Sequence, residues 1–436
     1  MRGSLHLARG ISRPGATSHV LWPRSCLASN PSSSAAAPHY ETGGIEVQPF
    51  FASQLWHGGP VVARSGSRRH YSTERTTRSP GTLPPFAFAF DIDGVLLHVA
   101  KPIPGATESL KLLQEKKIPF ILLTNGGGKH EEDRVIDLSS KLNVELSTEN
   151  FVQSHTPFQE LAHGPNGLKD KNILVTGSNA AQSRAIAEQY GFKNVITPAD
   201  ILMAHPTIWP FEPLMEEVYA KTARPLPTSQ PKIDAIFVFN DPRDWALDIQ
   251  IISDLLMSRD GVLGTYSSKN GKPDLPDSGW QGDGQPPIFF SNPDLFWSAS
   301  YPHPRFGQGA FQAAMYGIWR DITGGKELKR TVIGKPYRQT YQYAERVLNN
   351  HRAKLLGSGI EKLGALSRVY MVGDNPESDI RGANDFVSPD GTDWTSVLVR
   401  TGVWSAARGE PAHPPKMIVD DVAAAVNWAL EREGWR

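Results

Sequence analysis

The run FAFAFDIDGV at residues 86–95 constrains the fold more than any other stretch of this chain. Phe and Ala alternate at period two, which predicts a half-buried strand. With Asp91 ending that strand, Asp93 returns to the same side two residues later. Two carboxylates then stand at the C-terminal edge of a sheet, where open α/β folds bind ligands. Neighbouring carboxylates repel, and a cation or a shared proton relieves them. Asp and Gly are also common turn residues, so this run alone leaves an ordinary strand exit equally open.

Strands and helices alternate after it. A short connection at residues 96–104 leads to a helix carrying Leu110, Leu112 and Leu113. Residues 118–123 (IPFILL) read as a fully buried strand ending at Thr124, Asn125, Gly126, Gly127 and Gly128. This strand–helix–strand spacing requires a parallel sheet. The glycines allow close backbone approach, and a helix starting near Lys129 would aim its amides at an anion. Residues 172–176, 234–239 and 287–290 read as strands of a second α/β unit, with a short strand at 194–197 and helices at 179–190 and 245–257. Proline-rich loops interrupt it at 224–231 and 272–287. The last third returns to the first texture. It reads as a helix at 311–322, a strand at 330–333, a turn at Gly334, Lys335 and Pro336, and a helix at 339–355. A strand at 368–372 then runs into GDNPESD, followed by a helix at 378–384, a strand at 396–400 and a helix at 422–432. The alternation predicts an α/β, doubly wound parallel sheet. Such a sheet would place Asp91, Asp93, Thr124, Lys335, Asp374 and Asp379 along one edge.

With 436 residues the chain can build two sizeable cores, and 39% hydrophobic with 21% charged residues fits a soluble globular protein. Acids and bases balance at 45 each, which gives no electrostatic case for nucleic acid or a membrane surface. No apolar run approaches the roughly 18–20 residues of a transmembrane helix. The only cysteine, Cys26, excludes an intrachain disulfide and a cysteine-based zinc site. The first forty residues hold Arg2, Arg9, Arg13 and Arg24 among many Ser and Ala, and no acid. That pattern predicts a mitochondrial transit peptide over 1–71, cut after Tyr71 in the sequence Arg69-His70-Tyr71-Ser72, and a matrix location. No G-x-G-x-x-G follows the first strand, which argues against a dinucleotide oxidoreductase. His130, His155 and His205 follow no metal-ligand spacing and read as surface or structural. The Trp and Phe residues of the middle unit read as its core rather than a lipid-binding face.

Taken in order, DIDGV, Thr124 with Asn125, Lys335 in GKP, and GDNPESD resemble the four motifs of the haloacid dehalogenase superfamily. The gap of about two hundred residues between the second and third motifs resembles the members with a C2-type cap, subfamily IIA. SNPD at 291–294, GDNPESDIRGAN and LVRTGVW resemble that subfamily too, and in particular a mitochondrial branch related to the vertebrate cat eye syndrome critical region protein. The likeness spans residues 84–434; the two proline-rich insertions and the loop at 388–395 depart from it.

This resemblance implies a Rossmann-like core at 83–167 and 301–436 around an inserted α/β C2-type cap at 168–300. It implies a Mg²⁺-dependent phosphohydrolase acting on a small phosphorylated metabolite. Asp91 would be the nucleophile that forms an aspartyl-phosphate, and Asp93 the general acid and base. Thr124, Asn125, Gly126 and Lys335 would hold the phosphoryl group. Asp91, Asp374 and the backbone carbonyl of Asp93 would hold Mg²⁺, with Asp379 orienting ligand waters or Asp374 from behind. A carboxylate approaching a phosphate at about 4 Å meets roughly 4 kcal/mol of repulsion per charge pair, which a metal and a lysine would offset. Asn292, Asp294 and Arg243 are candidates where cap meets core. The expected partners are the small substrate and a second copy through the cap, with no nucleic acid and no integral membrane segment. The alternative is an accessory or weakly catalytic role in mitochondrial glycerophospholipid biosynthesis, because related fungal domains occur joined to a phospholipid-forming transferase. Carbon–halogen cleavage or transfer within a substrate is less favoured, since Asp93 is the acid that a poor alkoxide leaving group needs.

Overall fold

All five residues of the strand Phe86–Phe90 are buried, which corrects the half-buried reading. The computed structural model describes residues 83–435 apart from 298, 302, 358 and 360–362, so the expected leader and its cleavage site lie outside the described residues. The strand lies between the parallel strands Arg368–Gly373 and Phe120–Leu123. Phe86, Phe88 and Phe90 enter one apolar cluster with Leu110, Leu113 and Val426, whereas Ala87 and Ala89 enter another with Tyr341, Leu348 and Trp394. The alternation therefore separates large side chains from small ones, not apolar from polar. Rings fill the space beneath helices Ala106–Glu115 and Val422–Arg432, and alanines admit the tyrosine-bearing helix Arg338–Leu355.

The first sheet has six parallel strands in the order Met417–Val419, Asp393–Val399, Arg368–Gly373, Phe86–Phe90, Phe120–Leu123, Phe151–Val152. A second parallel sheet runs Thr331–Val332, Ile288–Phe290, Ala235–Val238, Asn172–Thr176, Asn194–Ile196. The expected α/β architecture with an inserted second unit is present, but the sheets do not divide at residue 300. Thr331 and Val332 pair with Phe289 and Phe290, and helix Gln308–Thr323 sends Phe311, Met315 and Trp319 into the second unit's core. The second layer thus continues to about residue 333. A buried ion pair, Arg184 to Asp200 at 2.6 Å, ties two of its helices, and Arg184 also donates to the Thr197 hydroxyl.

Two hairpins went unread in the sequence. Leu97–His98 pairs with Lys101–Pro102 just after DIDGV, and Phe296–Trp297 pairs with Arg305–Phe306 just after the SNPD turn. Among the described residues no helix is long and apolar enough to cross a membrane.

Candidate active site

Both sheets deliver their C-terminal strand ends to one cavity of about 490 Å³. From the first sheet come Asp91, Asp93, Thr124 and Asp374; from the second come Ser178, Asn240, Asp241, Asn292 and Asp294. The single shared edge expected from sequence needs one correction. Lys335 follows Thr331–Val332, the edge strand of the second sheet, and reaches the carboxylates from the opposite layer.

The Lys335 ammonium lies 2.7 Å from Asp91 Oδ1, 2.7 Å from Asp379 Oδ1 and 2.8 Å from the Leu123 carbonyl. Its hydrogen bonds go to Asp91 Oδ1 and the Leu123 carbonyl, while Asp379 Oδ1 stands in ion-pair contact. Burial works against that charge, but Asp379 and Asp91 outweigh it and raise the lysine's pKa. Asn125 fixes the lysine's backbone from both sides: its Oδ1 accepts from the Lys335 amide at 2.7 Å, and its Nδ2 donates to the Lys335 carbonyl at 2.9 Å. The same Nδ2 also donates to Asp294 Oδ2 at 3.0 Å. The Asn125 side chain is therefore a bridge between the two layers.

Asp91, Asp374 and Asp379 bring carboxylate oxygens within 4.8 Å of one another, all three buried. Gly94 and Gly402 let the backbone close around Asp374. A Cβ on Gly94, whose φ is +90°, would stand 2.4 Å from Asp374 Oδ2, and one on Gly402 would stand 1.9 Å away. Asp374 Oδ2 accepts the Val403 amide at 2.6 Å, while Asp379 Oδ2 accepts the amides of Asp374 and Asn375 at 3.1 and 3.0 Å. Burial, then Asp91 and Asp379, push the Asp374 carboxyl well above its ordinary range; burial likewise raises Asp379 against the pull of Lys335. With all three carboxylates ionised, as ligands of a cation would be, one ammonium would leave two negative charges in this buried space. A hard divalent cation with oxygen ligands fits that donor set and that charge. The Asp93 side chain stands outside the trio, and burial raises its carboxyl against Arg134, Lys335 and Lys141.

The glycine loop is held from below. Thr124 Oγ1 accepts from the Gly126 amide at 2.9 Å, and the Gly128 amide donates to His155 Nε2 at 3.1 Å. His155 Nδ1 faces the Tyr190 hydroxyl at 2.8 Å; that hydroxyl and Thr156 both donate to Glu131. His155 is structural, as expected. Full burial depresses its pKa to about 4, so the ring stays neutral and can accept. The helix expected near Lys129 begins at Glu131, and Glu131, Glu132 and Asp133 occupy its first turn. Its amide end is thus matched by its own acids instead of being open to an external anion.

Of the three boundary candidates, Asn292 shapes a turn by accepting the Asp294 amide at 2.8 Å. Asp294 joins the Asn125 bridge, and burial above all pushes its carboxyl up to about 7. Arg243 lines the cavity, exposed, and makes no hydrogen bond or ion pair with any described residue. Sequence reasoning missed Asn240, Lys129 and Arg134 on the cavity wall. A usable signal existed for Asn240, a polar residue two places beyond the C-terminal end of the strand Ala235–Val238.

A family model described as haloacid dehalogenase-like hydrolase matches residues 88–193, and a second, HAD-hydrolase-like, matches 332–425. The chain is 42% identical over 361 residues to the mitochondrial hydrolase YKR070W of Saccharomyces cerevisiae, covering 79% of this chain and 96% of that one. It is 41% identical over 380 residues to a cardiolipin synthase (CMP-forming) / mitochondrial hydrolase fusion protein of Schizosaccharomyces pombe. That match covers 86% of this chain and spans only 58% of the fusion protein's length. Among solved structures, a hypothetical protein of Pyrococcus horikoshii OT3 shares the fold with a TM-score of 0.50 at 18% identity, over 79% of this chain and 99% of the other.

Proposed function

Because the chain belongs to the haloacid dehalogenase-like hydrolases, we propose that it is a Mg²⁺-dependent phosphomonoester hydrolase working through an aspartyl-phosphate at Asp91. The observation that carries this reading is the Asp91 carboxylate, paired with the Lys335 ammonium inside a buried acidic trio and opening on the cavity. Lys335 orients Asp91 through the 2.7 Å contact between them. An Asp91 oxygen attacks phosphorus, the bond to the ester oxygen breaks, and Asp93 gives that oxygen its proton. Burial suits Asp93 to this task, because it favours the protonated form. Asp93 then takes a proton from water as that water attacks the same phosphorus and the bond to Asp91 breaks. Asp91, Asp374 and the Asp93 carbonyl are the groups that would hold Mg²⁺, which when bound supplies neutralising charge for the phosphoryl oxygens. Thr124 and the amides of the glycine loop orient those oxygens.

A small substrate agrees with a cavity of about 490 Å³ roofed by the second sheet. Both of these relatives carry a mitochondrial hydrolase in their names, which supports that compartment for this chain. The fusion to a cardiolipin synthase favours one second reading, an accessory role beside glycerophospholipid synthesis. Asp91→Asn with a panel of phosphate esters and Mg²⁺ separates the two. The phosphatase reading expects turnover by the parent and none by a normally folded variant; turnover that survives in the variant sinks it.

A further inference from the structure

Most Trp and Phe residues of the second unit are core, as expected, but Phe211 and one group at the cavity are not. Leu295, Phe296, Trp297, Tyr301 and Phe306 stand exposed on and beside the hairpin after SNPD, Phe306 at 64%. Phe296 stacks on Phe306 at 5.7 Å, and the Arg305 guanidinium lies 4.6 Å over the Tyr301 ring. Across the cavity mouth the other hairpin exposes Val99 at 58%. Val99, Phe296 and Trp297 all line the catalytic cavity, so the apolar rim belongs to both layers.

Soluble surfaces rarely gather this much apolar area without a purpose. Trp, Tyr and Phe beside Arg is the composition that settles at a membrane–water interface, where rings lie among headgroups and the cation meets lipid phosphate. The charge agrees. Residues 95–102 and 295–306 contain no Asp or Glu, but do contain Lys101 and Arg305. A protein partner or a second copy seated on both hairpins would plug the cavity. A bilayer touching the rim would feed it.

We infer that the two hairpins dock this protein on an anionic bilayer surface, and that the cavity takes the phosphomonoester headgroup of a lipid lying there. The acyl chains stay in the bilayer; only the headgroup enters a space of about 490 Å³. The hydrolysis step rests on the phosphatase reading above, whereas the docking does not.

The test uses the full chain with Cys26→Ser, carrying Ser300→Cys labelled with an environment-sensitive fluorophore. A control places the label through Asp321→Cys, about 20 Å along helix Gln308–Thr323. Vesicles of phosphatidylcholine with about 30% phosphatidylglycerol should blue-shift the label at 300 and leave the one at 321 unmoved. This readout is independent of any vesicle binding by the basic N-terminal segment. Arg305→Glu with Phe306→Ser should abolish the shift. The same pair should cut turnover of phosphatidic acid incorporated into those vesicles at least about tenfold, leaving soluble p-nitrophenyl phosphate within about twofold. A label at 300 that stays in water overturns docking, and so does a shift that grows with protein concentration without vesicles, which would mark self-association. An equal loss on both esters overturns the headgroup assignment. Insertion without turnover of either ester would keep docking and remove the phosphatase reading instead.

Discussion

His155 makes the glycine loop sensitive to acid, by an amount the structure allows to be worked out. Its ring is fully buried, stacks on Phe239 at 5.3 Å, and accepts the Gly128 amide through Nε2. Burial outweighs the attraction of Glu131 and depresses its pKa to about 4, against an ordinary 6.5. The folded value is the lower one, so the unfolded chain binds more protons between the two. Stability is therefore complete above pH 6.5 and is lost as pH falls through about 4. Each unit in that window removes about 1.4 kcal/mol, and summing from pH 7 to pH 5 gives a loss of about 2 kcal/mol from this residue. His155→Gln keeps an acceptor for Gly128 but does not titrate. At pH 7 it should cost about 1–3 kcal/mol for the disturbed Tyr190 bond. Between pH 7 and pH 5 it should lose about 2 kcal/mol less than the parent. Urea unfolding at both pH values, followed by circular dichroism, measures this. Equal losses in the two proteins would refute a neutral, proton-excluding His155.

Three further outcomes follow from the same contacts. Lys335→Met leaves Asp91 and Asp379 buried without their cation, and should lower kcat by at least about a thousandfold at neutral pH while the fold persists by circular dichroism. Asn125→Ala removes two bonds to the Lys335 backbone and one to Asp294; it should cost about 2–3 kcal/mol in urea unfolding and lower kcat more than it raises KM. Asp200→Ala strands the buried Arg184 guanidinium, and a loss of about 3–5 kcal/mol is expected, read as a lower unfolding midpoint.

Much of this architecture was legible because strand patterns and strand ends are local. The runs at 86–90, 172–176 and 245–257 declared their elements nearly to the residue. Which sheet a strand joins is not local. Thr331 and Val332 form a two-residue strand whose only signature is the pairing with Phe289 and Phe290, so Lys335 was assigned to the wrong layer. The central strand misled in a subtler way. Phe and Ala are both apolar, so their alternation records the clearance on each face of the sheet, and clearance depends on packed helices, two of which (Arg338–Leu355 and Val422–Arg432) lie far along the chain. The polar groups of the site were visible as residue types. Their work was not: Asn125 looks like a ligand in sequence and is a cross-brace in space, because its partners lie 169 and 210 residues downstream. The exposed hairpin was hidden by composition itself, since Phe and Trp read as interior residues until their neighbours are known.

The clamp on Lys335 has a mechanical consequence. The second layer's edge strand ends at Val332, and three residues later the chain is pinned to the first layer by the two hydrogen bonds between Asn125 and the Lys335 backbone. That pin is a pivot seated beside the nucleophile. Any rotation of the second layer about it leaves Lys335 almost in place while sweeping Asn240, Arg243 and Trp297 through wider arcs.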